Sequence, residues 1–312
     1  MKPFSHRSVL LREVVESLVR GPGGNFLDGT VGGGGHAAAI LEASSPSGFL
    51  KGCDRDEWAL TAAGERLAGY AGRWELRQGE FAALPEWVEP GWADGATMDL
   101  GVSSPQLDEA ERGFSFMHDG PLDMRMDQRQ GLTAADIVNG WDAEGLANLF
   151  WGLGGERESR RVARALEAAR SAGGIQTTLH LAEVVARAKG GRGGAKTHPA
   201  TQVFQALRIE VNDELGELRR GLEGVWNLLK PGGRLAVITF HSLEDRVMKE
   251  FGRRLEREYE SPGGVDVPEL RIPKEPEARW LSRKAILPGE VELRENPRAR
   301  SAQLRVLEKL NK

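Results

Sequence analysis

The sequence holds a single cysteine, Cys53, so no internal disulfide can form, and that scarcity fits a reducing cytoplasm. Long apolar runs are missing as well. Nothing approaches the roughly 20 consecutive apolar residues that a membrane-spanning helix needs, so no membrane partner is expected. The opening residues Met1-Lys2-Pro3-Phe4-Ser5-His6 contain no apolar stretch of the secretory kind, so export is not expected either. Positive charge is not in excess: 42 Lys and Arg face 46 Asp and Glu, a formal charge of −4. A nucleic-acid partner would therefore have to be met by a local basic surface. Neither a periodic repeat nor a heptad run is present. What remains, 40% hydrophobic and 28% charged residues in a chain of 312, is the profile of an ordinary soluble globular protein with about two domains.

Glycine, by contrast, is plentiful, at 40 residues. It gathers at 21–35, 152–155 and 190–194, with pairs at 232–233 and 263–264, as loops between regular elements do. Between these clusters the first hundred residues alternate short apolar runs with helical patterns. Strands are predicted at 26–28, 48–54, 74–77 and 96–100, and helices at 36–41 and 57–67. Such alternation predicts a parallel, doubly wound sheet. From about Asp108 to about Arg208 the strand signal fades and helices are predicted at 133–138, 143–150, 158–172 and 179–188. Alternation resumes with a helix from Asp213 to Leu229, a turn at Lys230-Pro231-Gly232-Gly233 and a strand from Arg234 to Phe240. A helix over 244–258 and a closing strand over 302–307 follow, with 261–300 read as an irregular excursion. The expected organisation is a discontinuous core, 1–107 and 209–312, with an all-helical domain inserted at 108–208.

Asp28-Gly29-Thr30-Val31-Gly32-Gly33-Gly34-Gly35-His36 occupies the first strand-to-helix turn. Glycines there permit positive φ and close approach of a ligand to the backbone. Asp54 ends the next strand, about where an acidic side chain accepts hydrogen bonds from ribose hydroxyls. Strand, turn, helix, strand and acid in that order favour a nucleoside ligand over a merely flexible turn. Two later segments point to S-adenosylmethionine rather than a dinucleotide. Asp99-Leu100-Gly101-Val102-Ser103-Ser104-Pro105 resembles the acidic-then-proline motif after the fourth strand of amino-methyltransferases. Leu228-Leu229-Lys230-Pro231-Gly232-Gly233-Arg234-Leu235 resembles the turn into the fifth strand of class I methyltransferases.

Over essentially its whole length the chain is similar to the MraW/RsmH family of small-subunit ribosomal RNA methyltransferases. The matching blocks are His6 to Leu11, Asp28 to His36, Cys53 to Asp56, Asp99 to Leu107, Glu111 to Phe116 and Asp119 to Asp127. Further blocks are His198 to Thr201, Phe204 to Ile209, Phe240 to Arg246 and Glu295 to Ser301. The resemblance implies an α/β, class I (Rossmann-like) S-adenosylmethionine methyltransferase sheet with an inserted all-helical domain. It implies methylation of N4 of a decoding-centre cytidine in 16S ribosomal RNA, within the small ribosomal subunit, and is compatible with a homodimer. It carries cofactor contacts onto Gly34, Gly35, His36, Asp54, Phe81, Asp99 and Gln106. Departures occur at Gln202, where the family usually has a basic residue, and in Gly154-Gly155-Glu156-Arg157.

The N4 lone pair of cytosine is delocalised into its ring, so the chemistry asks for alignment, for acceptors on the N–H bonds and for a route by which a proton leaves. No metal is required. The catalytic candidates are Asp99, Ser103, Ser104, Pro105 and His241. Each has a structural alternative: Asp99 can hold the cofactor only, the serines can cap the next helix, and His241 can cap a strand end. Asp119, Asp123 and Asp127 read as loop architecture, since ligand-type His or Cys spacing is missing around them. Between Glu156 and Lys196 nine Lys and Arg stand against four Glu. Arg157, Arg160, Arg161 and Arg164 share one helix face, so they are the candidate RNA contacts, with a solvated face as the alternative. Phe114, Phe116 and Trp151 are the candidates for stacking a base drawn out of its helix. A methyltransferase with another acceptor and an RNA-binding assembly factor that retains the fold are the competing readings. The latter is disfavoured by the intact acidic and glycine motifs, and a nicotinamide oxidoreductase by the want of a hydride-transfer site.

Overall fold

A computed structural model describes residues 8–171, 173–191, 197–261 and 266–311. It divides into two compact units, Met1–Gly101 with Leu215–Lys312, and Val102–Glu214.

The first lap of the larger unit runs α1 (Leu11–Leu18), β1 (Asn25–Asp28), α2 (Gly35–Ala43), β2 (Phe49–Asp54), α3 (Glu57–Leu67), β3 (Trp74–Gln78) and β4 (Ala93–Asp99). β1 and β4 are short and apolar on both faces, the composition of strands covered by helices on either side. Both end in an acid, Asp28 and Asp99.

The second unit is helical: α4 (Ser104–Asp108), α5 (Ala134–Gly140), α6 (Ala143–Gly154), α7 (Ser159–Arg170), α8 (Thr178–Ala188) and α9 (Thr201–Val211). Its own core gathers Leu122, Met124, Ile137, Leu146, Phe150, Val162, Leu166, Leu181, Val185 and Leu207. Asp142 and Thr177 start α6 and α8 by accepting backbone N–H groups.

The chain then returns to the larger unit through α10 (Glu214–Leu228), β5 (Leu229–Thr239), α11 (Ser242–Glu256), a small ladder of β6 (Tyr259–Glu260) and β7 (Ile272–Pro273), β8 (Ala278–Trp280), α12 (Glu290–Glu295) and β9 (Gln303–Lys309). The main sheet has the order β3-β2-β1-β4-β5-β9-β8. β1 to β5 are parallel, and β9 is antiparallel to β5 and to β8. The order reverses between β1 and β4, and in such sheets the crevice outside the carboxyl ends at that point receives ligands. This is a Rossmann-like α/β sheet.

Two expectations need correction. The Lys230–Gly233 turn lies within β5, as a register shift between the Ala93↔Leu229 and Gly95↔Arg234 pairs, with Gly232 at φ 77° and Lys230 on Asp94 at 2.8 Å. The excursion over 261–300 is not all irregular. It supplies the edge strand β8, on which Trp280 fills the space left by Gly252 of α11. Among the described residues no helix is long and apolar enough to cross a membrane.

Candidate functional site

The turn after β1 is shaped by its glycines. Gly34 sits at φ 75° as the residue before α2, and a Cβ there would meet Ala63 Cα at 3.1 Å. Any side chain would therefore be strained in backbone and crowded by α3. At Gly35 a Cβ would collide with the Ser8 hydroxyl. Asp54 fixes the other wall of the turn: Oδ2 accepts the Gly32 N–H at 2.8 Å and Oδ1 the Asp56 N–H at 2.9 Å. Each carboxylate oxygen keeps a lone pair for a further donor. Burial pushes Asp54 up to about 6, opposed by the N–H groups of Asp56 and Gly32.

Asp28 and Asp99 end the two central strands. Asp28 is 1% exposed; its Oδ1 accepts the Thr30 N–H at 3.1 Å, and its Oδ2 is buried with no hydrogen-bond partner among the described residues. Burial pushes its carboxyl up to about 7 against the pull of Thr30, and neighbouring Asp54 adds to the rise. The Thr30 hydroxyl also accepts the Asp99 N–H at 2.6 Å, so one residue, through its backbone N–H and its side chain, links both strand ends. The Asp99 Oδ1 atom likewise lacks a partner among the described residues, and Oδ2 lies 3.8 Å from His36 Nδ1. Burial, then Asp28, Glu244 and Glu292, raise Asp99 well above the usual carboxylate range. His36 is buried, with Nε2 3.0 Å from the Val9 carbonyl. A carbonyl only accepts, so Nε2 carries the hydrogen and Nδ1 faces Asp99.

The Asp28 arrangement has a measurable cost to the fold. An unfolded aspartate ionises near 3.9, whereas native Asp28 holds its proton to about 7. The stability tied to the protonated form is complete below the lower value and is lost as pH rises through the upper one. Asp28→Asn is neutral throughout and keeps an acceptor for Thr30. It should be more stable than the parent at pH 8, on the order of 1–3 kcal/mol, with the gain vanishing toward pH 4. Denaturant unfolding at the two pH values measures this, and an equal difference at both would show that Asp28 does not titrate in this way.

The other sequence-derived candidates fall as follows. Phe81 is 8% exposed and belongs to the larger unit's core, its ring against Gly221 and its Cβ near the space above Gly29. His241 caps α11: Nδ1 accepts the Glu244 N–H at 3.4 Å, while Glu244 Oε2 accepts the Phe240 N–H at 2.7 Å. The structural alternative thus has a definite geometry for His241. The same holds for Ser103, which forms a reciprocal capping box with Gln106 ahead of α4. Ser104 and Pro105 form the first turn of that helix. The division between units falls after Gly101, inside the Asp99-to-Pro105 motif, so Asp99 and the group Ser103 to Gln106 belong to different units.

Within the helical unit, Arg157, Arg160, Arg161 and Arg164 are all exposed, and Val162, Ala163 and Leu166 line the opposite, buried face of α7. Arg161 pairs with Glu158 at 2.9 Å, and Arg164 Nε donates to the Arg160 carbonyl at 3.3 Å. Arg192 and Lys196, counted in the basic stretch, lie outside the described residues, as do His6 and Arg7. Trp151 is 62% exposed and Phe114 is buried. Phe116 packs edge-on against Phe204 at 4.8 Å and lies 4.5 Å from the His198 ring. Gln202 and Gly155, the two departures, meet each other: the Gln202 amide donates to the Gly155 carbonyl at 3.2 Å, where Gly155 ends α6 at φ 66°. Asp123 and Asp127 form forked pairs with Arg125 and Arg129, and Asp119 accepts the Leu179 N–H, all of it loop architecture.

Comparison with known proteins places this geometry. The profile of the MraW methylase family matches residues 3–310. The chain belongs to that family. It is a methyltransferase, and its methyl donor is S-adenosylmethionine. A "Ribosomal RNA small subunit methyltransferase H" from Syntrophotalea carbinolica is 51% identical over 98% of each chain. A protein of the same description from Symbiobacterium thermophilum is 49% identical over 98% of this chain and 97% of its own. A solved rRNA methylase from Streptococcus thermophilus shares 14% identity at a TM-score of 0.41 over 96% of this chain and 94% of that one, a loose likeness from which nothing further follows. The residues present fit the donor: two buried carboxylate oxygens without partners among the described residues and a Cβ-free turn adjoin one strand-order reversal.

Asp28 was legible only as the start of the glycine motif. Its buried, unsatisfied oxygen is a tertiary property, set by β4 closing over β1.

Proposed function

We propose that this chain methylates small-subunit ribosomal RNA, at N4 of a decoding-centre cytidine of 16S ribosomal RNA, in the cytoplasm. The observation that carries the reading is the pair of buried carboxylate oxygens of Asp28 and Asp99, without partners among the described residues, beside the Gly32–Gly35 turn in a chain of the MraW methylase family. Close relatives described as acting on ribosomal RNA support the substrate.

The donor supplies an electrophilic methyl group on a positively charged sulfur. Asp54 holds the ribose hydroxyls, Phe81 borders the adenine, and the turn through Gly34, Gly35 and His36 gives its backbone to the remainder. Asp99 accepts from the cytosine amine, which restores lone-pair density to the nitrogen and orients it for in-line attack. The same carboxyl takes the proton that the amine releases, with His36 Nδ1 3.8 Å away. Burial raises Asp99 well above the ordinary range, which makes it a stronger base than a free carboxylate. Ser103, Ser104, Pro105 and His241 are the further catalytic candidates and Gln106 a further cofactor contact, Ser103 acting through its helix cap and His241 through the start of α11. The helical unit holds the RNA through Arg157, Arg160, Arg161 and Arg164.

Asp54→Ala removes both the ribose acceptor and the brace on Gly32. Cofactor affinity should fall by about 1–3 kcal/mol, read by calorimetry on folded protein; unchanged affinity would reassign Asp54 to loop structure alone. The acceptor is tested by supplying labelled cofactor with undermethylated small subunits and with protein extracts. Label in the ribosomal RNA supports the reading, and label confined to protein would overturn it.

A further inference from the structure

On α10, Glu217, Gly221 and Gly224 follow one another at intervals of four and three, so they share one helix face. Each meets the segment after β3 in its own way. Glu217, 1% exposed, accepts the Ala82 N–H at 3.1 Å through Oε1. At Gly221 a Cβ would collide with Phe81 Cδ2 and Cε2, so the ring lies directly on the helix backbone. At Gly224 a Cβ would meet Pro85 Cγ at 2.9 Å. The second Glu217 oxygen, Oε2, stands 3.4 Å from Arg55 Nη2, which is 3.2 Å from Glu80 Oε1. Arg55 directly follows Asp54, and its carbonyl accepts from Gln78 Nε2 at 3.1 Å. One buried carboxylate thus ties the backbone beside Phe81 to the residue beside Asp54.

We propose that Glu217 is a positioning residue for the adenosine of the cofactor, seating Phe81 and Asp54 together on the α10 face that Gly221 and Gly224 leave open. This rests on the assignment of those two side chains to adenine and ribose. The main chain already brings the two segments together, the Asp54 carbonyl accepting the Gly79 N–H at 2.9 Å, and Glu217 adds a side-chain link to that contact. A carboxylate is a costly intermediary. Burial, and then the neighbouring Glu80 carboxyl, push Glu217 up to about 7, a penalty that an apolar residue of similar size would avoid. Its placement is explained by what it holds: the half-buried Ala82 N–H beside Phe81, and a guanidinium beside Asp54.

The test is calorimetric binding of S-adenosylmethionine and S-adenosylhomocysteine, with thermal melting of the unliganded protein alongside. Glu217→Ala should bind both ligands about 10-fold more weakly, while Glu217→Gln, which keeps the acceptor for Ala82, should stay within about 3-fold of the parent. Gly221→Ala, which presses on the Phe81 ring directly, should weaken both ligands about as much as Glu217→Ala. Leu228→Ala, almost three turns further along the same helix, should lower the melting temperature and leave both affinities unchanged. Parental affinity in Glu217→Ala, or equal weakening in Leu228→Ala, would overturn the proposal. If the parent protein itself bound neither ligand, the cofactor assignment would fall first, and the two failures are thereby told apart.

Discussion

Asp99→Asn is expected to slow methyl transfer at saturating cofactor by about 100-fold or more, the usual range for a lost proton acceptor at a reacting nitrogen. The side chain keeps its size, so the packing around β4 should hold and cofactor affinity should change little. What disappears is the basic oxygen. Oδ1 is buried without a partner among the described residues, an arrangement that costs the fold stability unless a donor arrives to fill it. An amide can still accept one hydrogen bond, but it cannot take the proton that the amine releases. The substitution therefore separates holding from chemistry, which the sequence left open for this residue. Single-turnover rates in the parent and variant decide between them. Equal rates would leave Asp99 as a cofactor contact and nothing more.

Replacement of Arg160, Arg161 and Arg164 together by Ala should weaken RNA binding roughly 10- to 100-fold at moderate salt and make its salt dependence shallower by about 2 logarithmic units per decade. The expectation follows from placement. All three are exposed on α7, and among the described residues only Arg161 has an acidic partner, Glu158 at 2.9 Å. That exposed pair contributes little and gives way readily to a phosphate. The buried face of α7, with Val162, Ala163 and Leu166, is untouched by the changes, so the helical unit should remain folded. Cofactor affinity is the internal control and should not move. Filter binding across a salt series reads the slope; a slope equal to the parent's returns these arginines to the role of a solvated face.

Much of the larger unit could be read from the sequence because its signals are local. β1, β2 and β4 are short apolar runs that end in Asp, followed by glycine or a helix start, and this punctuation survives without knowledge of the partner strands. α3 is read residue for residue as Glu57–Leu67, and the structure adds Asp56 as its cap. β8 was missed because three residues, Ala278–Trp280, carry no periodicity, and only pairing with β9 makes them a strand. The Lys230–Gly233 turn stands where expected, but that β5 already begins at Leu229 depends on a register shift against β4, which is invisible in one strand alone.

At the site the division is similar. Asp54, Asp99 and the glycine turn announce themselves by type and spacing. The capping roles of Ser103 and His241 had a signal that was underweighted: each stands three residues before a Gln or Glu that reaches back to it. Glu217 had no local signal beyond its spacing to Gly221 and Gly224, which reads equally as a small-residue helix face. Its meaning comes from the packing of α10 on Phe81, across more than a hundred residues of chain.

The central claim is that this chain places a methyl group on the N4 amine of a cytidine in small-subunit ribosomal RNA. Small subunits from cells lacking the modification, incubated with the protein and S-adenosylmethionine, should yield N4-methylated cytidine when their RNA is digested to nucleosides and weighed by mass spectrometry. The same reaction with Asp99→Asn should yield little. A methyl group appearing on another nucleoside, or none appearing on RNA while cofactor is bound, would contradict the account.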